Sequence, residues 1–248
     1  RSVYEKIPLS MRADVHSMFV SLCTDETPMV RRAAARDMSA LVKRMSPEVI
    51  INEMLPLYRR LSADDQDSVR LLTVQNLVAM AEVLSPAETQ QLLLSSICGA
   101  FQDKSWRVRY MAADNFVQLA TAVGEDVVKE DLVPAYINLM RDAEAEVRTA
   151  AATQAPGLAK LLDQNTIIER LLPVAKELAD DPSQHVRGAL AAQVSALAPL
   201  LGKDATTEHL LPLFLQLLKD EFPEVRLNII SRLEQVNEVI GIDLLSQS

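Results

Sequence analysis

The stretch DETPMVR, residues 25–31, contains a unit that recurs along the whole chain, an aspartate followed five residues later by Val-Arg. Six copies of this Asp-x4-Val-Arg motif occur among the 248 residues, each 39 residues after the last. Self-similarity at a period of about 20–50 residues is typical of solenoids, whose repeats contact only their neighbours and present a long surface. The spacing therefore predicts a repeat array that serves as a docking platform. The motifs run from Asp25 to Arg31, Asp64 to Arg70, Asp103 to Arg109, Asp142 to Arg148, Asp181 to Arg187 and Asp220 to Arg226.

Each unit of 39 residues contains two helical hydrophobic patterns. In the second unit, apolar residues recur at three- and four-residue steps from Val49 to Leu61 and again from Val69 to Leu84, after a short acidic turn. Strand signals are absent throughout the sequence. We therefore expect a single array, residues 1–248, of six helix pairs with partial repeats at both ends. The repeats span about 8–46, 47–85, 86–124, 125–163, 164–202 and 203–241.

The helix ends are marked by capping residues and glycines. The segment SPAE, residues 85–88, combines an N-cap serine, a proline at the first helical position and the glutamate of a capping box. Gly124, Gly202 and Gly241 each fall sixteen residues after the valine of their repeat. A helix C-terminus at that point needs a residue that tolerates a positive φ. These signals predict where the helices start and stop.

Prolines occur at two kinds of position within the predicted helices. One kind recurs inside the first helix, thirteen residues before the valine, and predicts a bend because it removes one backbone hydrogen bond. The other is Pro156, which is followed by Gly157 in the second helix of the fourth repeat. Proline inside a helix costs roughly 3 kcal/mol and glycine about 1 kcal/mol relative to alanine, so we expect a kink or break there. The recurring prolines are Pro56, Pro134, Pro173 and Pro212.

Composition limits the environment and the partners of the chain. With 49% hydrophobic but only 4% aromatic residues, its core is built from Leu, Val, Ala, Met and Ile. A net charge of −9 opposes binding to nucleic acid, which requires clustered Lys and Arg. Cys23 and Cys98 occupy related positions two repeats apart, beyond the reach of a disulfide, and indicate a reduced, intracellular protein.

Targeting signals are absent from the sequence as it stands. The first residues, RSVYEKIPLS, lack an apolar signal segment. No stretch approaches the ~18 uncharged apolar residues of a membrane span. We therefore expect no membrane contact and a location in the cytoplasm, with the nucleus as a second location.

Motifs for catalysis and metal binding are also absent. The sequence has no G-x-S-x-G, no H-E-x-x-H and no P-loop, so we expect neither enzymatic activity nor a cofactor. The acidic cluster of Asp64, Asp65 and Asp67 lacks the continuation of a calcium loop, which favours a solvated acidic turn. The three histidines lie in different repeats without a partner at ligand spacing, so no metal site is predicted.

The turns between the paired helices carry sequences that are specific beyond helical periodicity. They are TDETPMVRRAAA (Thr24 to Ala35), DDQDSVRLL (Asp64 to Leu72), DKSWRVRYM (Asp103 to Met111), DAEAEVR (Asp142 to Arg148), SQHVR (Ser183 to Arg187), and GKDATTEHLLPLF with KDEFPEVRLNIIS (Gly202 to Phe214 and Lys219 to Ser231). These strings resemble the HEAT repeats of the scaffold-subunit family of protein phosphatase 2A over essentially the whole chain. The resemblance implies an all-α HEAT-repeat α-solenoid, a right-handed superhelix of stacked antiparallel helix pairs.

The resemblance also implies a non-catalytic scaffold of a protein serine/threonine phosphatase 2A holoenzyme. In that family the early and middle repeats hold a regulatory (B-type) subunit, the last repeats hold the catalytic subunit, and viral tumour antigens dock on the same ridge. This sequence resembles the middle repeats. We therefore expect contacts to regulatory subunits, and to viral or pathogen proteins on the same ridge, without the repeats that grip the catalytic subunit.

Partner contacts are expected on the turns, which stack along one edge and are least committed to the core. Most turns are acidic, whereas the third offers Lys104, Trp106 and Arg107. Trp beside Arg is typical of an interface hot spot, although Trp106 could instead be a packing wedge between turns. The predicted partner-binding residues are Asp25, Glu26, Thr27, Pro28, Met29, Arg32, Asp64, Asp65, Asp67, Ser105, Trp106, Arg107, Tyr110 and Glu144.

The repeated Asp and Arg are expected to serve the array itself. The aspartate would close its turn or cap the second helix, and the arginine would bridge to a carboxylate of the next repeat. Two other functions stay open: a transport-receptor-like solenoid that grips a basic peptide on its acidic turns, and an unrecognised helical-repeat enzyme. The predicted structural ladder comprises Asp25, Arg31, Asp64, Arg70, Asp103, Arg109, Asp142, Arg148, Asp181, Arg187, Asp220 and Arg226.

Overall fold

A computed structural model of the chain describes residues 8–241, which form six helix pairs without a strand. The chain divides into two compact units, residues 1–123 (unit 1) and 124–248 (unit 2), and the division falls between the third and fourth predicted repeats. Each unit contributes three helix pairs. The prediction of an all-α HEAT-type solenoid is confirmed.

Odd-numbered helices are the first helices of the repeats and even-numbered helices are the second. Unit 1 contains α1 (Leu9–Cys23), α2 (Pro28–Val42), α3 (Pro47–Val49, Ile50–Met54 and Leu55–Ser62), α4 (Asp67–Val83), α5 (Pro86–Phe101) and α6 (Trp106–Asp114 and Phe116–Thr121). Unit 2 contains α7 (Glu125–Val127, Val128–Leu132 and Val133–Met140), α8 (Ala145–Ala159) and α9 (Gln164–Thr166, Ile167–Leu171 and Leu172–Leu178). The segment Ala198–Ala205 is divided at the non-helical Gly202. Helix α10 comprises Gln184–Gln193, Val194–Leu197 and the part before Gly202, α11 comprises the part after it with Thr206–Leu210 and Leu211–Leu217, and α12 comprises Pro223–Ile230 and Leu233–Ile240.

The recurring proline of the first helices follows a π-helical segment in every case. In α3, α7, α9 and α11, five residues of π-helix end two positions before the proline. A π turn adds a residue to the ladder of backbone hydrogen bonds, which lets the helix pass a proline that has no N–H and whose ring would meet an earlier carbonyl. Helices α1 and α5 have Ser17 and Ser95 at the same position and are uninterrupted. The proline therefore determines which first helices contain a π-helical segment.

The predicted helix-end signals are found where the sequence places them. Gly124, Gly202 and Gly241 adopt φ of 89°, 73° and 91°. At the start of α5, the Ser85 side chain accepts from the backbone N–H of Glu88, and the Glu88 carboxylate accepts from the backbone N–H of Ser85. This reciprocal pair is the expected capping box. Both signals act locally, so they do not depend on how the repeats stack.

A kink or break was expected at Pro156-Gly157, and the helix is not broken there. Helix α8 continues to Ala159, and the backbone N–H of Lys160 still donates to the carbonyl of Pro156. Three other second helices are interrupted instead: α6 at Asn115, α10 at a 3₁₀ turn and α12 after Ile230. At Asn115 the side-chain amide donates to the carbonyl of Met111, so a local side-chain bond competes with the helical ladder.

The core of each unit is a stack of small aliphatic side chains. The motif valines Val69, Val108, Val147, Val186 and Val225 are at most 2% exposed. The hydroxyl of the buried Tyr136 donates to the carbonyl of Ala151 at 2.6 Å. Among residues 8–241, no helix is long and apolar enough to cross a membrane, and no cluster of His, Cys, Asp or Glu could hold a metal ion.

Replacing Pro156 with alanine is expected to raise the free energy of unfolding by about 1–3 kcal/mol. The restored N–H would donate to the carbonyl one turn earlier in α8, which proline leaves without a helical partner. The measurement is unfolding in urea, followed by helical circular dichroism. As the matched control, Pro134→Ala should lower stability by less than about 1 kcal/mol, because the π segment before that proline already accommodates its missing N–H and its fixed φ is compatible. Equal effects of the two substitutions would contradict the view that Pro156 costs stability and Pro134 does not.

Candidate functional site

Four buried ion pairs connect the turns of neighbouring repeats within the units. In each of these four pairs, the arginine of an Asp-x4-Val-Arg motif donates through Nε and Nη2 to both carboxylate oxygens of the aspartate 33 residues later, at 2.5–3.2 Å. No side chain in these pairs is more than 18% exposed. We refer to each such pair as a rung. The rungs are Arg31–Asp64 and Arg70–Asp103 in unit 1, and Arg148–Asp181 and Arg187–Asp220 in unit 2.

Every rung residue also organises its own turn. The aspartate accepts from the backbone N–H two residues later, as Asp64 does from Gln66 and Asp220 from Phe222. The Nη1 atom of the arginine donates to carbonyls of its own turn, for example from Arg70 to the carbonyl of Asp64. One guanidinium thus binds the backbone of its own turn through Nη1 and the aspartate of the next turn through Nε and Nη2. This is the geometry that the ladder hypothesis requires.

Two of the rungs favour the ionised form of their carboxyl groups. Hydrogen bonding to Arg31 lowers the pKa of Asp64 below its ordinary value, and Arg187 does the same for Asp220. Because a fixed arginine neutralises each of these carboxylates, they contribute little to attraction of a basic partner. Asp64, predicted as a partner-binding residue, is therefore occupied within the array.

The third turn of unit 1 carries a preorganised aromatic surface. The guanidinium of Arg107 lies 5.7 Å from the ring centroid of Trp106, and an Arg107 nitrogen lies 3.8 Å from the Asp67 carboxylate. The Ser105 hydroxyl donates to the same carboxylate at 2.8 Å. Trp106 and Tyr110, one helical turn apart on α6, are each 37% exposed. We refer to these five residues as the Trp106 platform.

The other predicted contact residues lie mainly on the first turn of unit 1. Met29 is 79% exposed, and Pro28 and Arg32 beside it are also exposed. Glu144 is exposed as well but belongs to unit 2, apart from this set. These contact residues of unit 1 are exposed, whereas Asp64, predicted both as a contact residue and as a ladder residue, lies in a rung. The remaining exposed members on the first and second turns are Glu26, Thr27 and Asp65.

Two features of the turns were missed at the level of sequence. The ring of Phe222, 36% exposed, lies 5.4 Å from the Arg187 guanidinium. A second, solvent-exposed bidentate pair joins Arg141 to Glu177 at 2.6 and 2.8 Å. The aromatic residue before Pro223 was a usable signal for the first feature. No motif marks the second, because its residues are 36 apart and unrelated to the repeated Asp and Arg.

Comparison with protein families gives matches to helical-repeat proteins. Residues 125–202 match the PPP2R1A-like HEAT repeat family, residues 210–240 match the HEAT repeat family, and residues 48–155 match the middle domain of PIK3R4-like proteins. The protein phosphatase 2A scaffold subunit of Dictyostelium discoideum is 46% identical over 55 residues. That segment spans 22% of this chain and 9% of the relative.

Comparison with solved structures supports the same architecture. The karyopherin Kap121p, bound to the extreme C-terminus of the protein phosphatase Cdc14p, aligns with a TM-score of 0.70 at 13% identity, over 94% of this chain and 26% of the other. A designed armadillo repeat protein in complex with the peptide (KR)4 aligns with a TM-score of 0.59 at 19% identity, over 89% and 98% of the two chains. At these identities only the fold is shared. With the family matches, they show that the chain is an array of HEAT-type helical repeats, part of which resembles the repeats of the PPP2R1A-like family.

Removing the cation of a rung is expected to destabilise its unit strongly. Arg148→Ala should lower the free energy of unfolding by about 3–5 kcal/mol, because it leaves the Asp181 carboxylate buried without its partner. Urea unfolding of both variants is the measurement. The matched control is Arg141→Ala, which removes an equally bidentate but half-exposed pair of the same unit and should cost far less. Similar losses in both variants would contradict a special role for the buried rung.

Stability should fall in acid because of the lowered carboxyl pKa values. The pKa of Asp64 and of Asp220 lies lower in the folded chain than the value of about 3.9 for an unfolded aspartate. Their contribution is therefore present above about pH 4 and is lost as the pH falls through the folded pKa values. Urea unfolding over a series of acidic pH values should show this decline, and Asp220→Asn should make it shallower. If the free energy of unfolding of Asp220→Asn falls with pH as steeply as that of the wild type, the Asp220 carboxylate does not contribute to the acid dependence.

Proposed function

We propose that this HEAT-repeat array is a non-catalytic scaffold that holds regulatory subunits of a protein phosphatase 2A holoenzyme on the turns of unit 1. The observation that carries the proposal is the Trp106 platform, an exposed aromatic group fixed by an arginine within an otherwise acidic series of turns. The partial identity to a phosphatase scaffold subunit supports this class of partner. The scaffold role agrees with a surface built from rigid, repeated turns.

The Trp106 platform has the properties of an interface hot spot. Hot-spot residues are enriched in Trp, Tyr and Arg, and all three occur here within one helical turn. Association costs side-chain entropy, and this cost is smaller when the side chains are already held in place. The contacts of Asp67 with Ser105 and Arg107 hold the platform before a partner arrives.

The first turn of unit 1 supplies a second, apolar contact. Pro28 restricts the backbone there, and the Met29 side chain projects with 79% exposure. An apolar centre with a charged rim is the arrangement found in specific interfaces. We infer that a regulatory subunit, or a viral or pathogen protein that mimics it, contacts the first and third turns together.

A transport-receptor-like function is the second candidate. It is favoured by the structural likeness to a karyopherin and to a designed armadillo protein that binds (KR)4. The acidic turns would attract a basic peptide, but the rung carboxylates are already paired with arginines. The exposed carboxylates outside the rungs, such as Glu26, Asp65, Glu144 and Glu224, lie on separate turns. We therefore favour the scaffold over the peptide receptor.

The proposed scaffold works in the cytoplasm, and also in the nucleus, without a cofactor of its own. Catalysis in the holoenzyme belongs to the phosphatase catalytic subunit, which the family resemblance assigns to the last repeats of such scaffolds and not to middle repeats like these. Binding of isolated catalytic subunit to this chain is accordingly expected to be weak. A tight complex with the catalytic subunit alone would contradict this division of roles.

Replacing Trp106 with alanine is expected to weaken binding of a regulatory subunit by roughly 2 kcal/mol or more, as hot-spot truncations do. The melting temperature of the Trp106→Ala variant should change little, because more than a third of the Trp106 side chain is already exposed. Isothermal titration with purified regulatory subunits gives the affinity, and a thermal scan gives the stability.

The matched control is Phe222→Ala, which removes an equally exposed aromatic ring that also lies over an arginine on a turn. Its affinity for the regulatory subunit should equal that of the wild type, because it belongs to unit 2. If Trp106→Ala lowers the melting temperature while affinity per folded molecule is unchanged, Trp106 is a packing wedge. Tight binding of a Lys/Arg-rich peptide, unaffected by Trp106→Ala, would favour the transport receptor instead.

A further inference from the structure

An interior joint of unit 1 contains a cavity of about 200 Å³. The cavity lies between the second and third repeats, where α3, α4, α5 and the start of α6 meet. Both of these repeats belong to unit 1, so described residues surround the cavity on either side of the joint. Four of its lining residues, Tyr58, Arg70, Thr73 and Val108, are at most 5% exposed. The cavity therefore reaches into the core of the joint.

Hydroxyl groups line this cavity at positions that are apolar in the other repeats. Ser62, Thr73 and Ser96 occupy these positions, and in the other five repeats the same positions carry only Ala, Cys, Val, Leu, Ile, Met or Phe. The Tyr58 hydroxyl is hydrogen-bonded to the side chains of both serines, and the Thr73 hydroxyl donates to the carbonyl of Arg70 at 2.7 Å. Packing of the array does not require polar groups here, since the other repeats fold without them. The hydroxyls therefore indicate that this joint accommodates a polar group.

The cavity opens beside Gly99, near the end of α5. Gly99 is exposed, and a side chain added there would meet no atom within 4 Å of its Cβ. In unit 2 the equivalent place is crossed by a surface contact, in which Arg141 donates to Glu177 at 2.6 and 2.8 Å. Ala63 and Gly99 stand at the positions of these two residues in the joint of unit 1. Neither side chain can bridge the joint, so the cavity stays accessible from the surface.

The lining of the cavity carries no net charge. Arg70 and Asp103 both line it and neutralise each other as a rung. Burial raises the pKa of Tyr58 to about 12, so its hydroxyl stays protonated. A charged ligand group would lose its hydration here without gaining a counter-charge, and an apolar group would bury the hydroxyls without offering them partners. The lining therefore suits a neutral group that both donates and accepts hydrogen bonds, and a carboxamide does both from neighbouring atoms.

We propose that this cavity binds a carboxamide, supplied by an Asn or Gln side chain of the regulatory subunit, an inference that rests on the proposed function. The cavity and the Trp106 platform share the third turn, because Gly99 precedes that turn and Trp106 follows it. A subunit that covers Trp106 therefore brings its own side chains to the opening. A cavity of about 150 Å³ holds benzene, so the present volume suffices for a carboxamide with its aliphatic stem.

The first test uses propionamide as the probe on the whole chain without a partner. Saturable shifts of the backbone amide signals of Gly99 and Arg70 in nuclear magnetic resonance spectra should report its binding. Propionate has the same size and a negative charge, and it should bind roughly tenfold more weakly or worse. Shifts that do not saturate, or equal binding of propionate, would overturn the proposal, since the cavity would then hold water only or lack the stated selectivity.

A variant of the lining separates the hydroxyls from the fold. Ser62→Ala combined with Ser96→Val introduces the residue types that the fifth repeat carries at these positions, Ala179 and Val174. The chain should therefore keep its helical spectrum and its stability in urea. Propionamide should bind this variant roughly tenfold more weakly or worse, because its buried hydrogen bonds are lost. Unchanged binding of propionamide would contradict a role of the hydroxyls.

The second test is isothermal titration with purified regulatory subunits. Gly99→Leu should close the opening and weaken binding roughly tenfold or more, because the carboxamide can no longer enter and form its hydrogen bonds. The matched control is Gln91→Leu, at an exposed position of the same helix that does not line the cavity, and it should bind as the wild type does. Full affinity of Gly99→Leu, with Trp106→Ala still weakened, would overturn the carboxamide site and leave the scaffold function intact. If the wild type binds no regulatory subunit, the proposed function fails, and saturable binding of propionamide would then assign the cavity to free amides instead.

Discussion

The bidentate pair between an arginine of one turn and the aspartate of the next is the constraint on which this architecture depends. A guanidinium offers a planar fork that matches a carboxylate in one orientation, so the pair fixes both distance and angle. A buried ion pair adds little net stability over apolar packing, but its loss leaves an uncompensated charge. The rung therefore specifies the register between repeats more than it strengthens them.

Fixed register explains why the repeat length does not vary. A constant repeat length keeps each rung arginine within reach of the aspartate 33 residues later while its Nη1 holds its own turn. Structural variation is confined to the helices between the turns. The prolines of α3, α7, α9 and α11 are absorbed by π segments, and α1 and α5 without proline stay regular.

Features set by local chemistry could be predicted from the sequence, and features set by neighbouring repeats could not. The positive φ of Gly124 and the capping box at Ser85 each depend on a few adjacent residues. The interruption at Asn115 depends in part on Gln75, whose amide donates to the Asn115 side chain from forty residues away. Helix propensity predicted a break at Pro156, but burial of α8 residues around it keeps the helix continuous. Packing outweighs propensity at that point.

The candidate site shows the same division. The exposure of Met29 and of Trp106 could be predicted because both residues occupy turn positions that do not contribute to the core. The repeat predicts the ladder role of Asp64, whereas the contact of Asp67 with Ser105 and Arg107 requires the distance between turns. Because the rungs use the same residue types in every repeat, they cannot distinguish one turn from another. Specificity for a partner must therefore come from the turn residues between the aspartate and the valine, and among these only the third turn combines a fixed arginine with an exposed tryptophan.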